Sequence, residues 1–147
     1  KADPKKAGTG AAGGLGFAFL TFTDAVLESG IKIVLEETRL EEYIREADLV
    51  ITGEGQIDGQ TAMGKAPIGV AGLAKKYGKT LIAFTGAAGV DAEKCNEHGI
   101  DAFFPILRNV VTLEEAMKNE NAKRNLADTA EQVYRLWRAG TGSVSVF

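Results

Sequence analysis

Residues Ala47–Thr61 read ADLVITGEGQIDGQT, and Ala62–Lys76 continue as AMGKAPIGVAGLAKK. The run Leu49–Thr52 has the length and apolar continuity of a strand covered on both faces. Pro67 then begins a helical segment reaching Tyr77, and Gly78 supplies a left-handed stop. A strand, a glycine-rich loop and a helix in that order make the unit from which parallel α/β sheets are built.

The same alternation extends in both directions. Ile31–Leu35 (IKIVL), Thr80–Thr85 (TLIAFT) and Ala102–Ile106 (AFFPI) are the other strand candidates, with Pro105 moving the last one towards an edge or an end. Between them, Ala12–Ser29 places Leu15, Phe19, Phe22 and Val26 at helical spacing before Gly30, and Arg39–Glu46 forms a short acidic helix. Asp91 caps a short helix ending at Gly99. Thr112 and Glu115 make a capping box for Leu113–Lys118. The last helix, Lys123–Ala139, carries Leu126, Val133, Leu136 and Trp137 on one stripe and stops at Gly140. Trp137, Tyr134 and the phenylalanines read as core. The expected architecture is a three-layer α/β domain, a mostly parallel sheet with helices on both faces, Rossmann- or flavodoxin-like. In such sheets ligands bind beyond the carboxyl ends of the strands, so the residues after Leu49–Thr52 and Thr80–Thr85 have first claim to function.

Composition narrows the function classes. With 147 residues, 45% hydrophobic, 25% charged and a formal net charge of -3, the chain can bury a core and is not a disordered segment. The slightly acidic balance argues against nucleic-acid binding, which needs clustered positive charge. The single Cys95 excludes an internal disulfide and a cysteine zinc site, and points to a reduced, cytoplasmic protein. No apolar run approaches the ~20 residues that span a bilayer, so no membrane partner is expected. Residues 1–7 form a polar lead-in, 8–140 the α/β region, and 141–147 a tail without period.

Glycine is the one excess: 18 where average usage of ~7% predicts about 10. Gly8, Gly10, Gly13, Gly14 and Gly16 fall in a first loop, Gly53, Gly55, Gly59 and Gly64 in a second, and Gly86 and Gly89 in a third. Clusters of this kind belong where backbone turns tightly or comes close to a ligand. GTGAAGGLG, Gly8–Gly16, contains G-x-G-x-x-G and leads into a helix, whose start suits a phosphate or carboxylate. It lacks the preceding strand that a dinucleotide fingerprint requires, which disfavours a nicotinamide or flavin site.

Gly59–Lys65 fits G-x-x-x-x-G-K, but Ala66 stands where the phosphate loop places its magnesium-binding Ser or Thr, so the Walker match is read as chance. Lys65 at a helix start still suits an anionic ligand. Glu54 and Asp58, four apart in the same loop, are carboxylates fit for Mg²⁺ or for general-base duty towards a hydroxyl. With Thr61 and Lys65 they give the loop more polar equipment than a connection needs. His98, near a helix C-terminus, reads as a surface residue.

GTGAAGGLG (Gly8–Gly16), IKIVLEET (Ile31–Thr38), ADLVITGEGQIDGQT (Ala47–Thr61) and GKAPIGVAGLAKK (Gly64–Lys76) closely resemble the type 1 bacterial glycerate kinases. The resemblance extends through Ile100–Phe104 and the final helices. Gln56 stands where Arg is common in that family, and Ala62-Met63 replaces a Leu-His-like pair. The resemblance implies ATP-dependent phosphorylation of D-glycerate, with Mg²⁺, to a phosphoglycerate, the 2-phosphate being favoured. It implies a larger two-domain kinase, of which this chain is the C-terminal portion, inactive without the N-terminal part. It also implies catalytic roles for Asp58, Glu54 and Lys65, with Asp58 and Glu54 as metal ligands. Gly8, Gly10, Gly13, Gly14, Gly55 and Thr61 would bind substrate or phosphate. The competing class is a non-catalytic anion- or nucleotide-binding, or regulatory, module.

Overall fold

In the computed structural model, which describes residues 2–142, the apolar runs form three parallel strands. They are β1 (Leu49–Ile57), β2 (Thr80–Ala88) and β3 (Ala102–Pro105), in sheet order β1-β2-β3. Pairing runs from Leu49↔Thr80 to Ile57↔Ala88, and from Ile82↔Ala102 to Thr85↔Pro105. Because strand side chains alternate, β2 buries Leu81 and Ala83 on one face and Ile82 and Phe84 on the other.

Helices cover both faces. Helix α7 (Asn119–Gly140) brings Val133 and Ala130 onto the Ile82–Phe84 face, where Leu49, Ala102, Phe104 and Ile106 complete the cluster. Helix α4 (Ala66–Lys76) lies against β1 and β2 and buries Pro67, Ala71 and Ala74. Its start has proline in the first turn, and Gly78 follows with φ +61°. Helix α5 (Lys94–Glu97) buries Cys95. Before β1 come α1 (Ala11–Phe22), α2 (Gly30–Glu37) and α3 (Leu40–Glu46); α6 (Leu113–Met117) precedes α7. Two compact units result, Lys1–Tyr43 and Ile44–Phe147, and the sheet belongs to the second. Among the described residues no helix is long and apolar enough to cross a membrane.

Several expectations are corrected. Ile31–Leu35 is helical, part of α2. Lys32 pairs with Glu28 at 2.7 Å and lies 3.9 Å from Glu36, both four residues away, a spacing that favours helix and that the apolar run concealed. Helix α1 ends at Phe22, well short of Ser29, where Thr23 bonds back to Phe19 O through both N–H and hydroxyl. Phe19 and Phe22 are exposed in the first unit, not core. On α7 only Val133 of the expected stripe is fully buried; Leu136 is exposed, and Tyr134 stacks on Trp137 at 5.9 Å.

Asp91 does not cap α5, whose N-cap is Glu93; it holds φ +61° just before the helix. Thr112 does cap α6 by accepting the Glu115 N–H, while the Glu115 carboxylate turns to Lys118 and Asn121 instead of closing the box. Of the tail expected over 141–147, residues 143–147 lie outside the described residues.

Candidate functional site

Strands β1 and β2 run on past the apolar segments that announce them. Gly53 and Gly55 therefore lie within β1 and Gly86 within β2, not in loops. The reason is close approach: a Cβ on Gly86 would stand 2.6 Å from Gly55 O, and one on Gly53 would stand 3.1 Å from Phe84 O. Only glycine lets the two strands pair this tightly at their carboxyl ends.

Asp58 follows β1 directly. Its Oδ1 accepts the backbone N–H of Gln60 (2.9 Å) and Thr61 (3.1 Å), which starts the 3-10 turn Thr61–Met63. Oδ2 has among the described residues only a long 3.4 Å contact from Gln56 Nε2. The carboxylate is thus fixed by one oxygen and open at the other. Glu54, half-buried, accepts the Thr61 hydroxyl on Oε2 at 2.9 Å, and Lys65 Nζ lies 3.8 Å from Oε1. Thr61, expected to touch an anionic ligand, is fully buried, with its hydroxyl also accepting Asp58 N–H at 3.3 Å. It orders the two carboxylates instead of facing solvent. Gly64, at φ +106°, ends the turn, and Lys65 is the N-cap residue of α4. A 3-10 turn thus interrupts Gly59–Lys65, which sets it apart from a continuous phosphate loop.

The third segment packs on the second. Thr85 Oγ1 accepts Ile57 N–H at 3.1 Å and donates to Ala87 O at 2.7 Å. Gly89 N–H reaches Ile57 O, and Gly59 N–H reaches Val90 O. Cys95 Sγ donates to Asp58 O at 3.7 Å, and burial first, then the charges of Asp58 and Glu54, push its thiol pKa up. Sequence reasoning missed Thr85 and Cys95 as supports of the site. The available signal was a hydroxyl residue closing an otherwise apolar strand.

In the first unit, Gly8, Gly10, Gly13 and Gly14 build a tight loop. Gly8, Gly13 and Gly14 have φ of +89°, +67° and +98°, and Ala12 joins them at +49°. Regular helix begins only after this left-handed run. A Cβ on Gly16 would stand 2.3 Å from Gly8 O, whereas one on Gly10, Gly13 or Gly14 would meet nothing within 4 Å. Gly16 is therefore glycine for packing; at Gly10, Gly13 and Gly14 the backbone has open space beside it.

An open apolar depression of about 370 Å³ in the second unit reaches Glu54 from Ile51, Phe84, Ile106 and Leu126, but includes neither Asp58 nor Lys65. The polar chemistry lies at the strand end, not in that depression. No cluster of three or more His, Cys, Asp or Glu suited to a metal occurs among the described residues. Glu54 and Asp58 would thus be a two-carboxylate set. That set fits Mg²⁺, which takes one or two carboxylates and fills the remaining positions with water and phosphate oxygens.

Comparison with known proteins gives the same direction. A model of the glycerate kinase family matches residues 1–138. The chain is 49% identical to a glycerate kinase of Halalkalibacterium halodurans, over 82% of this chain and 33% of that protein. It is 48% identical to a glycerate 2-kinase of Escherichia coli, over 83% of this chain and 33% of that one. A crystal structure of a candidate glycerate kinase 2 from Salmonella typhimurium superposes with a TM-score of 0.66 at 43% identity, covering 91% of this chain and 32% of that chain. The chain spans about a third of the length of the curated relatives it matches.

Proposed function

The chain belongs to the glycerate kinase family, and from that premise we propose that it forms the Asp58-bearing part of an enzyme that transfers a phosphoryl group from ATP to D-glycerate. The 2-hydroxyl is the favoured acceptor, in keeping with the relative named glycerate 2-kinase. The observation that carries the reading is the Asp58 carboxylate, held through Oδ1 by two backbone N–H groups and open at Oδ2, at the carboxyl end of β1.

In this reading Asp58 Oδ2 takes the proton of the glycerate hydroxyl as its oxygen bonds to the terminal phosphorus and the bond to the ADP oxygen breaks. With the open oxygen of Asp58 taking the proton, Glu54, kept in place by Thr61, is the carboxylate that would hold Mg²⁺, which when bound would offset phosphate charge. Lys65 adds a cation at the start of α4, where the helix dipole also favours an anion. Gly8, Gly10, Gly13 and Gly14 offer backbone to a phosphate or to the glycerate carboxylate, and so does Gly55, beside which a Cβ would meet nothing within 4 Å. In this reading the parts of the family fold that lie outside the matched third of its relatives complete the site, and residues 1–147 alone are expected to be inactive. The free thiol of Cys95 suits a cytoplasmic location.

The test is ADP release by the full-length gene product, with D-glycerate and Mg-ATP, and identification of the product. Release that depends on D-glycerate and yields 2-phosphoglycerate supports the reading. No release at saturating substrates overturns it.

A further inference from the structure

We propose that Thr85, with the residues that follow its strand, is a positioning element for the Asp58 carboxylate. The proposal deepens the reading above and rests on it, since it requires Asp58 to meet the substrate hydroxyl. Consecutive peptide groups around Asp58 are gripped from outside their own turn. Ile57 N–H goes to Thr85 Oγ1 at 3.1 Å, and Ile57 C=O accepts Gly89 N–H at 2.7 Å. Asp58 C=O receives Cys95 Sγ, and Gly59 N–H goes to Val90 O at 3.0 Å. The bonds from Gln60 and Thr61 fix the carboxylate to its local turn. The bonds from β2, the segment after it and α5 fix that turn to the sheet.

Thr85 is the pivot of this clamp. It is buried, and its one hydroxyl both accepts from Ile57 and donates to Ala87, tying the last residue of β1 to β2 where pairing ends. Valine has the same shape and neither bond, whereas serine keeps both. Gly89 acts from the outside. A Cβ there would stand 3.1 Å from Asp58 Cβ and 2.7 Å from Gln56 Nε2, so alanine would press on the base of the Asp58 side chain without removing any core hydrogen bond. Such pressure matters because a displacement of about 1 Å in a reacting group can cost about 100-fold in rate.

The experiment measures kcat, both KM values and the melting curve of the full-length gene product carrying Thr85→Val, Thr85→Ser, Gly89→Ala or Asp58→Asn, and the double variants with Asp58→Asn. Thr85→Val should lower kcat roughly 10–100-fold with KM changed no more than about threefold, and Thr85→Ser should stay within about threefold of wild type. In the Asp58→Asn background, Thr85→Val should cost less than about twofold, because a group that acts through Asp58 has nothing left to position. Wild-type kcat in Thr85→Val, or an undiminished loss in the Asp58→Asn background, overturns the proposal while leaving the kinase reading intact. Should Thr85→Val not fold, Gly89→Ala carries the same expectations, and wild-type kcat in that variant overturns it. If Asp58→Asn turns over like wild type, Asp58 is removed from the reaction and the inference fails with that assignment.

Discussion

The buried hydroxyl of Thr61 donates to Glu54 Oε2 at 2.9 Å and at the same time accepts the N–H of Asp58, so a single side chain ties the Glu54 carboxylate to the backbone that carries Asp58. Replacing it by valine keeps the volume and leaves both partners short of a hydrogen bond. Thr61→Val should lower stability by about 1–3 kcal/mol, the range for a buried group left unsatisfied. Thr61→Ser should recover most of that loss. Denaturant unfolding of the two variants checks this, and a Thr61→Val midpoint equal to wild type would show that the hydroxyl organises nothing.

Asp58→Asn separates structure from chemistry at the neighbouring position. Asparagine retains an oxygen for the Gln60 and Thr61 N–H groups, so the turn should persist and stability should change by no more than about 0.5 kcal/mol. It cannot accept the substrate's proton. Loss of a positioned general base predicts a fall in kcat of roughly 100- to 10,000-fold in the full-length enzyme. Steady-state kinetics alongside a melting curve reads both effects. A variant that melts early and turns over normally would reverse the assignment of roles.

How far the sequence could be read depends on which physical signal each region carried. Strands β1, β2 and β3 were legible because unbroken runs such as Thr80–Thr85 suit a sheet covered on both faces. Helix α4 was legible from its proline start and glycine stop. Ile31–Leu35 was misread for the same reason that β2 was read correctly: a run this short has no period of its own, and the signal for helix was Lys32 within it, four residues from both Glu28 and Glu36.

At the candidate site, Glu54, Asp58, Thr61 and Lys65 were found together because their polarity stood out between glycines; in the structure the first three share one hydrogen-bonded cluster, and Lys65 Nζ lies 3.8 Å from Glu54. The burial of Thr61 and the support from Thr85 were not legible. Both depend on β1 and β2 continuing as strands through glycines, which propensity disfavours and which the close approach of Gly86 to Gly55 O accounts for.

Acid should weaken the second unit through Asp101. Burial raises the pKa of this carboxyl, but hydrogen bonds from Lys75 Nζ and Leu81 N–H outweigh it and hold the group below its ordinary value of 3.8. A carboxylate with a depressed folded-state pKa contributes stability that is present above its unfolded pKa and is lost as pH falls through the folded one. Both partners are about two-fifths exposed, at 42% and 41%, so the ion pair is worth on the order of 0.2–1 kcal/mol. Asp101→Asn should therefore be less stable than wild type at neutral pH, and the gap should close as pH drops below about 4. Unfolding curves between pH 3 and pH 7 measure it; a gap that stays constant would assign the effect to packing.

Two glycine substitutions distinguish a residue kept for packing from one kept for ligand approach. Alanine at Gly86 would put its Cβ 2.6 Å from Gly55 O, a backbone atom in a paired strand that cannot swing aside. Gly86→Ala should thus cost about 1–3 kcal/mol, as overpacking does, whatever happens to activity. Gly10 is the opposite case. Its φ of -77° suits any residue, and a Cβ there would meet nothing within 4 Å. Gly10→Ala should leave stability within about 0.5 kcal/mol of wild type. If the open side of the loop is where an anionic substrate lies against backbone, the added methyl occupies that space, and KM for D-glycerate or ATP should rise about tenfold in the full-length enzyme, the lower end of what a misfitting group costs. Unchanged KM values for both substrates in a stable Gly10→Ala enzyme would remove this glycine from the site and leave the open space beside it without a ligand.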